Sequence, residues 1–372
     1  MKKKVILEDR KGACNVKYVL ILFVASSVVL SGCFPINVFE DVTPLTDEET
    51  KGNDELEVLA TNFQIPWSIE KNGETFFISE RNGTIAKVVN GDLTRQKVIL
   101  SKDLSDASEA GLLGFVLAPD FDSSQKAFAY YTYEENSSQF NRIVELSLED
   151  NTWTETSILV DAIPSGNVHH GGRLAIGPDK KLYATAGDAS TPDLAQDVDS
   201  LAGKILRMNV DGSIPEDNPF NDSYVYSYGH RNPQGLVWAE DGTMYASEHG
   251  QAANDEINKI EPGKNYGWPV IEGRDEEEGM ITPIFTSGSD RTWAPSGMAL
   301  HDNILYVAAL RGTTVLAFDI ESEMYRAVME DVGRVRDVMI ADDYLYFISN
   351  NTDGRGTPSE TDDKFYRVKL DE

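Results

Sequence analysis

The residues of this chain best suited to proton transfer lie in Asn167-Val-His-His-Gly-Gly-Arg173. Imidazole is the side chain whose ordinary pKa lies nearest neutrality, so His169, left uncrowded by the two glycines, suits the work of a general base. Asp188, at the end of the next strand, is placed to orient and polarise it. His170 is the candidate for a hydrogen-bonded structural histidine. A second group is basic and comprises Arg231, Arg311, Arg334 and Arg336. Guanidinium groups make forked bonds to carboxylates, so four on one face could hold an anion. Each could instead pair with a neighbouring Asp or Glu as a spacer; the company of a His and of Trp293 favours the ligand. A third group is rich in oxygen. Asp255 and Glu256 follow the turn Glu248-His249-Gly250, and Asn265-Tyr-Gly-Trp268 lies close behind. Carboxylate and backbone carbonyl oxygens at irregular turns suit Ca²⁺, and no Cys/His cluster has zinc spacing. The run Asp275-Glu-Glu-Glu278 reads as a solvated loop, because adjacent like charges repel.

These groups are far apart in sequence, so a repeated scaffold must bring them together. From about Leu59 one pattern recurs six times: a short apolar strand, a turn rich in Asp, Asn and Gly, then a strand with an aromatic residue near its centre. The first strands carry Trp67, Phe115, Leu174, Leu236, Met298 and Val338; the second carry Phe77, Phe128, Tyr183, Tyr245, Tyr306 and Tyr346. The aromatic markers recur every roughly 40 to 62 residues, the range of propeller blades with loop insertions. Period-two runs between the copies supply the remaining strands, and no amphipathic helix of four turns is evident. The expected fold is all-β, a six-bladed β-propeller over residues 58 to 372, closed by pairing its last strand with a blade begun at one end of the chain. In a hairpin the start of the first strand and the end of the second share one end of the sheet. That places Asn62, Glu109, His169, Arg231 with Asn232, Trp293 and Arg334 on one face of the disk. Glu80, Asp188, the His249-Gly250 turn, Arg311 and Asn350 join them there.

The start of the chain reads as an address. Six basic residues precede an uncharged stretch from Tyr18 to Leu30, too short to span a bilayer comfortably, and then Leu-Ser-Gly-Cys33. Residues 1 to 32 are expected to be a lipoprotein signal peptide, with Cys33 acylated and residues 33 to 57 an acidic tether. The product would be extracytoplasmic, anchored to the membrane only through lipid, and without a disulfide. The whole chain has 372 residues, 62 Asp plus Glu against 33 Lys plus Arg, and a net charge of -29. It should be repelled by nucleic acids and anionic headgroups, so any anionic ligand must be held by a local basic cluster.

Eight segments, in order from about Leu59 to Leu370, resemble the glucose/sorbosone dehydrogenase family. They are Glu109-Ala-Gly-Leu-Leu-Gly-Phe115 with Ala118-Pro-Asp-Phe121, His169-His-Gly-Gly-Arg-Leu174 with Ala186-Gly-Asp188, Leu201-Ala-Gly-Lys-Ile-Leu-Arg-Met-Asn-Val-Asp-Gly-Ser213, Gly229-His-Arg-Asn-Pro-Gln-Gly-Leu236, Ser247-Glu-His-Gly250, Asp255-Glu-Ile-Asn258, Asn265-Tyr-Gly-Trp-Pro269 and Gly333-Arg-Val-Arg-Asp337. The resemblance implies a propeller carrying pyrroloquinoline quinone (PQQ) and Ca²⁺, which oxidises the anomeric hydroxyl of an aldose to a lactone. By the same resemblance His169 is the base and Asp188 its supporting carboxylate. Arg231 and Asn232 contact the cofactor, and Arg231 stabilises charge on the quinone oxygen. Arg334 and Arg336 bind the cofactor carboxylates, and Arg311 falls where the family has a basic residue. The carbonyls of Gly250 and Gln251 hold the active-site Ca²⁺, and Glu256 with the Tyr266 carbonyl holds a second ion.

Three positions depart from that pattern. Glu109 replaces a cofactor-binding Gln, and an ionised carboxylate beside a tricarboxylate is unfavourable unless protonated or turned away. Gln251 replaces a Pro, and Arg311 replaces a Lys. The expected partners are an aldose and an electron acceptor left unidentified, as is the oligomeric state. Two other functions fit an axial cluster: a propeller that binds a saccharide or protein without redox chemistry, whose arginines would be tied up in salt bridges, and a Ca²⁺-dependent lactonase.

Overall fold

Residues 56–370 are described by a computed structural model. The expected signal peptide, Cys33 and nearly all of the acidic tether lie outside the described residues. The described residues are all-β apart from single turns of helix at Phe121–Ser124 and Pro192–Ala195, and none forms a helix long and apolar enough to cross a membrane.

The repeated sequence pattern builds antiparallel meanders because each Asp/Asn/Gly turn returns the chain beside itself. The first strands are Pro66–Asn72, Leu112–Leu117, Leu174–Ile176, Pro233–Trp238, Pro295–His301 and Val335–Ala341, and each pairs with the strand that follows it. All six aromatic markers fall in the second strands. The strands form four four-stranded sheets and one eight-stranded sheet. In the eight-stranded sheet two meanders are joined by parallel pairing of Asp92–Ile99 with Thr152–Pro164, through Lys97 to Thr152 and Ile99 to Thr154. The first strands touch one another in cyclic order, the sixth returning to the first, so they line a common axis. Glu57–Thr61 joins the outer side of Lys364–Lys369, Val58 opposite Tyr366, and thus ties the start of the described chain to its end. Glu57, expected in the tether, is therefore strand, and its carboxylate pairs with Arg367 at 2.8 Å.

The core lies between neighbouring sheets. One cluster gathers Trp67, Leu113, Tyr130, Leu174 and Leu206 from three meanders; another joins Tyr245 and Ile257 to Leu305 and Phe318. Five of the six first strands carry a register shift near their start, as between Pro66 and Ile69 or Val335 and Asp337. Such bulges re-aim side chains at a strand end. Equivalent positions ahead of the first strands share a backbone state too: Asn62, Glu109 and His169 have φ of 66°, 68° and 65°. At the opposite end of the axis, Ile69, Leu117, Ile176, Trp238, Leu300 and Ile340 surround a cavity of about 730 Å³. That end is walled mainly by apolar side chains, whereas the polar groups of the sequence motifs gather at the strand starts.

Candidate functional site

His169 is held by contacts on both ring nitrogens and on its backbone. Nδ1 lies 2.8 Å from Asp188 Oδ1, and Nε2 lies 3.0 Å from an Arg231 guanidinium nitrogen. Asp188 Oδ1 also accepts the Ser190 N–H, and its Oδ2 accepts the Trp268 indole N–H at 2.9 Å. With both carboxylate oxygens accepting, Nδ1 must carry the proton; with a guanidinium facing it, Nε2 must carry the lone pair. These contacts select the tautomer of a base, with the Nε2 electron pair turned toward Arg231. Its left-handed φ is sparsely populated for a side-chain-bearing residue, and the His169 N–H is held by Glu109 Oε2 at 3.2 Å. Two glycines make this turn possible. A Cβ on Gly187 would lie 1.9 Å from the His169 carbonyl oxygen, and one on Gly171 would lie 2.6 Å from the Thr185 carbonyl. Asn232 is buried and accepts the Gly171 N–H, so it buttresses the same turn. His170 is buried, with one nitrogen on the Ser165 hydroxyl and the other on the Ser108 carbonyl.

The four arginines divide. Arg231 stacks 5.4 Å from the Trp268 ring and donates to the His249 carbonyl, while its Nε is buried without a partner. Arg336 is buried and finds only neutral acceptors: Asn350 Oδ1 at 3.1 Å and Gln234 Oε1 at 2.8 Å. Burial accordingly pulls its guanidinium down to about 9. Arg334 pairs with buried Asp353 at 2.7 Å, as the spacer reading expected for an arginine. Arg311 is exposed. The indole of Trp293 is not with them. It is buried between two sheets, edge-on to Phe318 and Tyr325 at ring separations of 5.1 Å. Its backbone N–H is drawn inward by Asp255, which also accepts the Ala294 N–H and the Thr292 hydroxyl.

A polar cleft opens beside His169, lined by Trp67, Arg81, Glu109, His249, Arg336 and Arg355 among others. Trp67 is its floor, with Arg173 stacked at 4.3 Å and Arg336 at 5.9 Å. Burial holds the His249 imidazole neutral, at about 4, and its Nε2 has no partner. Glu109 is ionised. Burial alone would raise its carboxyl, but the Arg355 guanidinium 2.6 Å away outweighs this and holds it at about 2.

The next pocket is lined by Arg231, Glu248, Gly250, Glu256, Tyr266, Trp268 and Glu272 among others. It brings together Gly250, Glu256 and Tyr266, expected to serve two separate ions, and Gln251 is tied to it through its N–H on Glu272 at 3.3 Å. Burial and the neighbouring Glu248 push Glu256 up to about 8. Among the described residues no three His, Cys, Asp or Glu side chains are arranged around a metal position. A cation here would need backbone carbonyls beside Glu256, an all-oxygen set that fits a hard ion such as Ca²⁺. The cleft fits a polycarboxylate on separate grounds: the buried Arg336 guanidinium without a carboxylate partner, and the orphaned His249 Nε2, with the orphaned Arg231 Nε in the next pocket, which a bound polar group could satisfy.

Sequence reasoning missed Asp353 and Arg355, and did not assign Trp268 its bond to Asp188. Asp353 and Arg355 lie in an irregular loop, Asn-Thr-Asp-Gly-Arg355, that resembles any exposed turn.

Comparison with known proteins agrees with the motifs. The family profile described as glucose / sorbosone dehydrogenase matches residues 63–357. A quinoprotein glucose dehydrogenase B from Acinetobacter calcoaceticus is 30% identical over 296 residues, 69% of this chain and 62% of that protein, so the match leaves more than a third of the relative's length uncovered. An aldose sugar dehydrogenase from Escherichia coli is 29% identical over 345 residues, covering 80% of this chain and 91% of that one. Among solved structures, the PQQ-bound form of an aldose sugar dehydrogenase from Streptomyces coelicolor is 35% identical with a TM-score of 0.79, covering 84% of this chain and 97% of that one.

Proposed function

The chain belongs to the glucose/sorbosone dehydrogenase family, and we propose that it oxidises the anomeric hydroxyl of aldose sugars to lactones with PQQ and Ca²⁺. The observation that carries this is the His169 tautomer, with Nδ1–H fixed by Asp188 and the Nε2 lone pair facing Arg231, where a substrate hydroxyl would have to displace the guanidinium, together with a buried, uncompensated Arg336 in the adjoining cleft. When bound, PQQ supplies the two-electron acceptor that takes the C–H hydrogen as hydride, and Ca²⁺ supplies a Lewis acid. The chain's own residues do the rest. His169 Nε2 takes the hydroxyl proton as the C–H bond breaks, and Asp188 stabilises the imidazolium that results. Arg231, stacked on Trp268, offers positive charge where negative charge develops. Arg336 binds a carboxylate of the cofactor, with Arg334 and Arg311 at the margin. Gly250, Gln251, Glu256 and Tyr266 supply oxygens for Ca²⁺.

The closed ring of six first strands supports a six-bladed propeller as the architecture. The Leu-Ser-Gly-Cys33 sequence supports export with a lipid anchor, which would hold the enzyme near a membrane-bound electron acceptor. A non-catalytic binding propeller has less support, since of the four arginines only Arg334 has a side-chain ion pair in the described structure. A lactonase would leave the basic cluster without a role. The test is reconstitution: purified protein with PQQ and Ca²⁺ should reduce an artificial dye when given aldoses. Binding of sugars without dye reduction would favour the non-catalytic alternative.

A further inference from the structure

Glu109 poses a problem for any anionic ligand, because it lines the cleft and is ionised. Its two oxygens are both committed. Oε2 accepts the His169 N–H, which holds the base in its left-handed backbone state, and Oε1 meets Arg355 Nη1 at 2.6 Å. Arg355 also reaches the Ser108 hydroxyl at 3.3 Å, while its own N–H is fixed at 2.8 Å by Asp353, the partner of Arg334. Two ion pairs, Glu109 with Arg355 and Asp353 with Arg334, are thus joined through the Arg355 backbone N–H. Arg355 lies between the strands Tyr344–Ser349 and Lys364–Lys369, and Glu109 precedes Leu112–Leu117. The meander that begins with Pro66–Asn72 stands between those two in the ring, so the ion pair spans the mouth of an intervening sheet. Around the cleft the guanidinium groups of Arg81, Arg334, Arg336 and Arg355 lie near the carboxylates of Glu109 and Asp353, and without Arg355 the Glu109 carboxylate loses its ion-pair partner while the local positive excess is halved.

We propose that Arg355 is a positioning residue of the cofactor site: by pairing with Glu109 it offsets the carboxylate that holds His169 at the edge of a site for a polycarboxylate anion. This rests on the PQQ reading above. The pair is part-exposed, 47% for Arg355 and 22% for Glu109. It should therefore add little to stability, and its effect should be on local charge.

The test is a spectral titration with PQQ in the presence of Ca²⁺, run on the unaltered protein, R355Q, E109Q, the double variant E109Q/R355Q and R355K. Melting temperatures of the apo-proteins check that each is folded. An uncompensated carboxylate at the cleft should weaken binding by about 5- to 20-fold in R355Q, after allowance for solvent screening. E109Q should bind at least as tightly as the unaltered protein, R355K should keep most of its affinity, and the double variant should return to within about 2-fold because the net local charge again equals that of the unaltered protein. An R355Q protein that binds like the unaltered one, or a double variant as weak as R355Q, overturns the proposal and leaves the function standing. Failure of the unaltered protein to bind PQQ overturns both.

Discussion

With Nδ1–H donated to Asp188 and Nε2 opposite Arg231, the His169 imidazole is set in one tautomer before any substrate arrives, and the two contacts predict different failures. His169→Ala removes the base and should lower kcat by roughly 10²- to 10⁴-fold while PQQ affinity stays near that of the unaltered protein. Asp188→Asn can donate toward Nδ1 and so permits the tautomer with its proton on Nε2, where no lone pair is left for the substrate. Its loss should be of similar order, roughly 10³- to 10⁴-fold, with the fold intact. Single-turnover kinetics on the reconstituted variants, with cofactor binding measured separately, check both; a His169→Ala enzyme with undiminished turnover contradicts the assignment. The pairing of His169 with Asp188 was legible because a two-glycine turn and a Gly-Asp strand end advertise it. Trp293 was placed on the axial face by register, but Asp255 draws its backbone inward and its ring packs on Phe318 and Tyr325. Arg355 was not legible, because nothing in its own loop reveals a partner at Glu109.

At the scale of elements, the segment Leu201-Ala-Gly-Lys204 shows how a short motif is structural. Lys204 is fully buried, and its Nζ donates to the carbonyls of Leu194, Ala195 and Ala202 at 2.8, 3.1 and 2.7 Å. It thus closes the end of the turn Pro192–Ala195, and the Ala195 carbonyl also accepts the Gly229 N–H ahead of Arg231. Lys204→Met should strand these carbonyls and destabilise the fold by about 2–4 kcal/mol. Chemical denaturation reads this directly, and an unchanged midpoint would mean that water replaces the ammonium without penalty. First and second strands were legible from turn chemistry and the aromatic markers. The outer strands were less so: Phe285–Thr286 has two residues, too few for periodicity, and the parallel seam between Asp92–Ile99 and Thr152–Pro164 joins segments whose pairing no local pattern specifies.

For the whole molecule, a chain of net charge -29 contains a cleft where guanidinium groups outnumber carboxylates, and ring closure by Glu57–Thr61 on Lys364–Lys369 brings residues from both ends of the described chain to one axis. Excess acidity elsewhere favours solubility and cation uptake, and the cleft is the exception that marks the site. All-β architecture and the gathering of His169, Asp188 and Arg231 at one end of the strands could be read from the repeat, whereas which arginines stay free of carboxylates could not, since that depends on loop residues such as Asp353. The proposed chemistry stands on PQQ binding in this cleft. Its most direct test is titration of the apo-protein at micromolar concentration with PQQ and Ca²⁺, followed by absorbance. PQQ held in the cleft should give a saturable spectral change at one PQQ per chain, followed by bleaching on addition of an aldose; a spectrum identical to that of free PQQ throughout the titration would show that the cleft does not take it.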